Sequence, residues 1–379
     1  MEFRFSREDE SFRARVRAFL GGWTDSDGQV PASRKADLEN EMAAQKWLTI
    51  AWPVDYGGAG ASPLQQLIFK EECWRVGFSS SSQGVNLIGP ALMVHGTEEQ
   101  KLEHLPRIAS GEVQWAQGFS EPGAGSDLAS LQTRAVRDGD DYIINGQKIW
   151  TSEAHHSDWI HLLARTDPEA PKHRGISYFM IDLRTPGITI RPLIQLTGVH
   201  GFNEVFFDDV RVPRKNMISG ENRGWYAATT TLDFERSGIE RNLVAQRDWE
   251  RLYDYAKTNR AALAGRNSMG WRANLADLRI EVEVGQWIAR RVAWMQGHGL
   301  VPNYESSMSK TYNSELGQRI ADFGVGLLGL TGQLREPSRL HGGVVAFRYL
   351  DARRLTIGQG TSEINRNVIA TRGLGLPRG

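Results

Sequence analysis

Twice along this chain the hydrophobic pattern changes period, and the two changes limit the folds open to it. Up to about Gly111 the apolar residues recur at helical spacing, as at Phe12, Val16 and Phe19. Helix starts are marked by Ser6 followed by acids, by Ser62-Pro63-Leu64-Gln65, and by Thr97-Glu98-Glu99-Gln100. The last two place a hydroxyl at the N-cap and a glutamine at N3. From about Val113 the chain turns to short β-rich runs, "RDGDDYIINGQKIW", "GISYFMIDL", "GITIRPL" and "NEVFFDDVRVP". In the first of these, Asp138-Gly139 and Asn145-Gly146 read as two hairpin turns. After "GENRGW" long helical segments return, with few prolines before Pro302. The order helical, β, helical predicts an α+β multidomain protein with a helical domain over 1–112, an antiparallel β domain over 113–224 and a helical domain over 225–379.

A length of 379 residues is too great for one ordinary core and gives ample apolar surface to bury. Lys plus Arg and Asp plus Glu balance at 45 each, so no field of either sign favours nucleic acid or an anionic membrane. The single cysteine, Cys73 in "EECWRVGF", excludes an internal disulfide and a Cys-rich metal site, and it reads as a small buried hydrophobe. No apolar run approaches the roughly 18 residues of a membrane span. A soluble, cytoplasmic protein without membrane insertion is expected.

Three strings offer chemistry. "GVGLLG", Gly324 to Gly329, matches the dinucleotide fingerprint, yet "YNSELGQRIADF" before it reads as helix. The fingerprint works only between a strand and a helix, so a close helix-packing surface of small residues accounts for it better. A nicotinamide enzyme of the Rossmann type is the runner-up on this string alone. In "GFSEPGAGSDLASLQTRA", Pro122, Gly123 and Gly125 form a loop whose amides can approach a ligand. Ser120 and Ser126 add hydroxyls there, and Asp127 can hold the turn. In "INGQKIWTS" an indole and two hydroxyls leave a strand together, so Trp150 can cover a planar ring and Ser152 can donate to a ring heteroatom. Taken in isolation, Trp150 reads rather as a core residue.

Taken with "WPVDYGG", "HGTEEQK", "FNEVFFDDVRVP", "LDFER" and "GTSEINRNVIATRGLGLP", these strings resemble the acyl-CoA dehydrogenase family over nearly the whole chain. The resemblance implies an N-terminal helical domain, a central antiparallel β-barrel and a C-terminal four-helix bundle. It also implies FAD as cofactor and α,β-desaturation of an acyl-CoA substrate, with electrons passed to an electron-transfer flavoprotein. By position, Gln117, Phe119, Ser120, Gly125, Ser126, Trp150 and Ser152 would contact FAD from the β domain, and Thr361 and Glu363 from the C-terminal motif. Ser126, Asp233, Arg236 and Gly360 would face the substrate. Because the family shares FAD across a subunit interface, a homodimer or homotetramer is expected, or a heteromer with a related subunit.

Two departures from the family pattern bear on that assembly. Arg260 is available for the FAD pyrophosphate, but Leu263 stands where many relatives have Phe, and "GLLGLTG" replaces a glutamine-bearing stretch. A third departure bears on the chemistry, because many relatives carry their catalytic glutamate just before the Gly-Thr of the C-terminal motif. Gln359 occupies that position here, and an amide is a negligible base. Other members carry the base directly before an arginine on the helix after the barrel, which is Glu235 in "LDFER". The resemblance thus makes Glu235 the base and leaves Gln359 a backbone donor to the thioester oxygen. Read without it, Glu235-Arg236 is a solvated helix pair. A catalytically weak partner subunit of a heteromeric dehydrogenase and a flavin enzyme of the same fold with a non-CoA substrate stand as alternatives.

Overall fold

The computed structural model describes residues 5–79, 82–235, 239–264, 270–335 and 343–377, with backbone alone for 230–235 and 264. Helices α1 (Arg7–Gly21), α2 (Lys35–Ala44), α3 (Pro63–Arg75), α4 (Gly89–His95) and α5 (Glu98–Ala109) come first. Strands β1 (Trp115–Gly118), β2 (Arg134–Asp138), β3 (Asp141–Ser152), β4 (Trp159–Arg165), β5 (Ile176–Asp182), β6 (Ile188–Ile194), β7 (His200–Pro213) and β8 (Met217–Ile218) follow. The chain then forms α6 (Gly224–Glu235), α7 (Ile239–Thr258), α8 (Arg260–Ala264), α9 (Gly270–Gly297), α10 (Tyr304–Leu328), α11 (Val344–Asp351) and α12 (Ser362–Val368). The helical, β, helical order read from the sequence is therefore the observed one.

The helix starts form as their side chains dictate. Ser6, Ser62 and Thr97 each accept from the backbone of the residue three positions on, and Asp9, Gln65 and Gln100 return the bond to the cap. Each such cap is worth about 1 kcal/mol. Gln100 does more than cap: its Nε2 donates to the carbonyls of Lys215 and Met217, tying α5 to the start of β8.

By contact the chain forms two compact units, Met1–Gln29, Ser62–Phe78 and Arg236–Gly379 in one, and Val30–Ala61 with Ser79–Glu235 in the other. The second unit holds the sheet, in the order β6-β7-β3-β2-β4-β5-β8 with β1 against β4. Most pairings are antiparallel, but β1 and β2 both run parallel to β4. Tyr142 of β3 lies 5.2 Å from Phe179 of β5 although two strands separate them, so the sheet curls over a core of its own side chains. The opposite face, through Trp115, Trp159 and Leu163, packs on Ile88, Leu92, Leu105, Ala227 and Ala228 of the unit's helical segments.

One turn expected from the sequence is not a turn. Asp138-Gly139 does close the β2–β3 hairpin, with Gly139 at φ 64°. Asn145-Gly146 instead sits within β3, where the register with β7 shifts between Ile144 and Gly146. The glycine is needed because a Cβ there would lie 2.7 Å from the Cα of Thr133. Asn145 is held by a side-chain bond to Asp209 and by the Asp209 amide, both 2.9 Å. A β-bulge takes the same residues as a reversal when a neighbouring backbone comes this close.

In the first unit α7, α9 and α10 enclose Trp249, Leu252, Leu275, Leu278, Leu316 and Ile320. Gly324 lies within α10, where an added Cβ would sit 3.2 Å from Leu252 and 3.3 Å from Val345. "GVGLLG" is thus a packing surface on a helix and its C-terminal end, which removes the Rossmann reading. Cys73 is buried, and burial pushes its thiol pKa up, as a structural cysteine requires.

Candidate active site

The glycine-rich loop after β1 is held by a buried ion pair. Glu121 accepts from the amides of Gln132 (2.6 Å) and Thr133 (2.9 Å) and from Lys148 Nζ (2.7 Å). Burial would raise the Glu121 carboxyl, but Lys148 and these donors hold it below its ordinary value. Complete burial pushes Lys148 down to about 8, with Glu121 opposing the shift. Lys148 also donates to the Phe119 carbonyl (3.1 Å), and the Ile149 amide donates to the Ser120 carbonyl (2.9 Å). Loop and strand are therefore fastened on both sides of Ser120. Neither Glu121 nor Lys148 stood out in the sequence; their pairing depends on strand register rather than on local spacing.

The expected flavin-facing residues divide by burial. Phe119 turns its ring inward, edge-on to His161 and Tyr178, so only its backbone is available to a ligand. Gln117 is half-buried, and its Nε2 has no hydrogen-bond partner among the described residues. Gly125 and Ser126 are exposed on the loop, whose Asp127 pairs with Lys172 at 2.7 Å. Trp150 is 59% exposed at φ 61°, where the β3–β7 register shifts again between Lys148 and Thr151. The irregularity turns the indole out of the sheet, edge-on to Phe202. Trp150 is not a core residue. Ser152 is half-buried, and its carbonyl accepts from Gln83 Nε2 (3.3 Å). A cavity of 480 Å³ lies behind the loop, lined by Glu121, Pro122, Gly123, Ser130, Gln132, Thr133, Gly146 and Gln147, and none of Gln117, Ser126, Trp150 or Ser152 reaches it.

In the other unit the C-terminal motif forms a tight loop before α12. Gln359 (φ 59°) and Gly360 (φ 80°) are both left-handed, and Thr361 Oγ1 caps α12 by accepting from the Ile364 amide. Buried Asn365 donates through Nδ2 to the carbonyls of Gly360 and Thr361, each at 2.9 Å. Asn365 was not apparent from the sequence as a loop clamp. Gln359 and Glu363 are exposed, and the Glu363 carboxyl is lowered by its own amide and by Thr361. Arg260 is exposed at the start of α8, while Leu263 is buried in the helical core. The α6 backbone ends at Glu235; the side chains of Asp233 and Glu235, and all of Arg236, lie outside the described residues.

Family comparison covers these same segments. The chain matches the acyl-CoA dehydrogenase N-terminal domain over residues 6–112, the middle domain over 116–210 and the C-terminal domain over 222–374. It is 36% identical over 396 residues to acyl-CoA dehydrogenase IpdE1 of Mycobacterium tuberculosis, an alignment covering 97% of this chain and 98% of that one. Among solved structures it is similar to the Tcur3481–Tcur3483 steroid ACAD, with 34% identity, TM-score 0.89 and full coverage of both chains. The ChsE4–ChsE5 complex from Mycobacterium tuberculosis gives 33% identity and TM-score 0.89, again over the whole of both chains. The chain belongs to the acyl-CoA dehydrogenase family, enzymes that oxidise CH–CH bonds.

Proposed function

We propose that this chain desaturates an acyl-CoA thioester between its α and β carbons with FAD as cofactor. The observation that carries the reading is an outward-turned Trp150 together with a half-buried Gln117 whose Nε2 has no partner among the described residues, beside the fastened Ser120 backbone. A planar ring with polar edge atoms fits that set: the indole covers a face, Gln117 Nε2 gains an acceptor, and Ser126 and Ser152 offer hydroxyls. FAD, when bound, supplies the acceptor for the β-hydride. Glu235 takes the α-proton, since Gln359 cannot. The Gln359 amide donates to the thioester oxygen and stabilises the charge that develops there. Asp233 and Arg236 contact substrate beside Glu235, Gly360 leaves room for it, and Thr361, Glu363 and Arg260 bind FAD.

The same reading gives the electrons to an electron-transfer flavoprotein and makes the molecule an oligomer. A heteromer is favoured over a homo-oligomer by two observations. Leu263 is absorbed into the core at the altered pyrophosphate-side segment, and two neighbours of TM-score 0.89 are named as two-chain assemblies. Steroid-derived acyl-CoA is the first substrate class to test, by analogy with the neighbour named a steroid ACAD. Anaerobic titration of the purified protein, alone and with a co-expressed related chain, should bleach the flavin band and release an enoyl-CoA two hydrogens lighter than the substrate. A protein without flavin in both preparations overturns the proposal.

A further inference from the structure

Immediately beyond Ser152 the chain makes one tight turn, and three side chains with metal-ligating atoms converge on it. Glu153 takes a left-handed conformation (φ 55°), its amide bonded to the Gly201 carbonyl, and Ala154 packs into the core. The Glu153 carbonyl accepts from the His156 amide and from Ser157 Oγ, both 2.9 Å, so the turn is fixed at several points. One ligand atom each from Glu153, His155 and His156 lies within 4.8 Å of the others.

His155 is held ready to ligate. Its ring stacks on His200 at 3.7 Å and 17°, and its Nδ1 faces Asn203 Nδ2 at 3.1 Å. Asn203 Nδ2 also donates to the Thr151 carbonyl (3.0 Å), and Asn203 Oδ1 is bonded to His200 Nε2 (2.7 Å). The amide orientation is therefore set, and His155 Nδ1 must be an acceptor carrying a lone pair.

We infer that Glu153, His155 and His156 form a binding site for a divalent transition ion of the zinc class. Two imidazoles and one carboxylate suit Zn²⁺, and a fourth position remains for water. Four-coordinate zinc places ligand atoms about 3.4 Å apart. Glu153 and His156 are exposed, so their side chains can close that distance without disturbing the core. On binding, the ion takes the His155 Nδ1 lone pair from Asn203, whose Nδ2 keeps its bond to Thr151.

Calorimetric titration of untagged, chelator-treated holoprotein with zinc chloride tests the site. The expected result is one equivalent bound with a micromolar dissociation constant, weakened at least tenfold by His156→Ala and by Glu153→Gln. His298→Ala, just beyond the C-terminal end of α9, should leave it unchanged. Because both altered side chains are exposed, near-UV circular dichroism of the zinc-free variants should match the parent. Zinc binding no tighter than millimolar, or equal affinity in the parent and both variants, overturns the inference.

Discussion

Trp150 owes its position to backbone rather than to side-chain preference. The irregular β3–β7 register and a positive φ turn it outward, so an indole that in isolation reads as core stands 59% exposed. Trp150→Ala should therefore change stability by less than about 0.5 kcal/mol. The same substitution should lower flavin content or shift its absorption bands; the spectrum of the purified variant and its thermal melt separate these effects. Gln359 presents the complementary case, an amide where the family resemblance leads one to expect a carboxylate. If its contribution is the backbone amide, Gln359→Ala should retain turnover within about tenfold. Gln359→Glu introduced into Glu235→Gln should recover part of the rate that the single change removes, measured as acyl-CoA-dependent dye reduction. That position 359 carries an amide is legible from one letter of sequence. The Asn365 clamp on the same loop was not, because its acceptors are carbonyls that converge only once α12 forms.

At the scale of elements, what the sequence shows well is what neighbouring residues decide among themselves. The three capped starts of α1, α3 and α5 and the Gly139 hairpin are of this kind. Asn145-Gly146 failed as a turn because the backbone of Thr133, just before β2, fixes its use. The Glu121–Lys148 pair was invisible for the same reason, although it fastens the glycine-rich loop to β3. Lys148→Met should cost about 3 kcal/mol, because it leaves a buried carboxylate with peptide donors only. Flavin content should fall with it. Chemical denaturation of the variant beside Trp150→Ala distinguishes loss of the scaffold from loss of a contact.

For the molecule as a whole, the order of helical and β segments was written in hydrophobic period, whereas the grouping of α1 and α3 with α7–α12 rests on long-range packing that no local pattern carries. Buried titratable groups give the whole chain an acid limit. His161, bonded to Tyr178 and fully buried, is pushed down to about 3, and burial also lowers His104. The unfolded chain takes up these protons below about pH 6.5 while the folded one does not, so stability should fall with pH by up to about 1.4 kcal/mol per unit for each histidine. Melts between about pH 7 and about pH 5 should show the decline, and His161→Gln, which keeps a partner for Tyr178 without titrating, should flatten it.

The proposed chemistry is tested most directly by rapid mixing of the flavin-loaded protein with its best acyl-CoA substrate under anaerobic conditions, for the parent and for Glu235→Gln. The flavin of the parent should bleach fast, and the rate in the variant should be lower by at least about 10²-fold with flavin content unchanged. Near-parental flavin reduction in Glu235→Gln would contradict this chemistry.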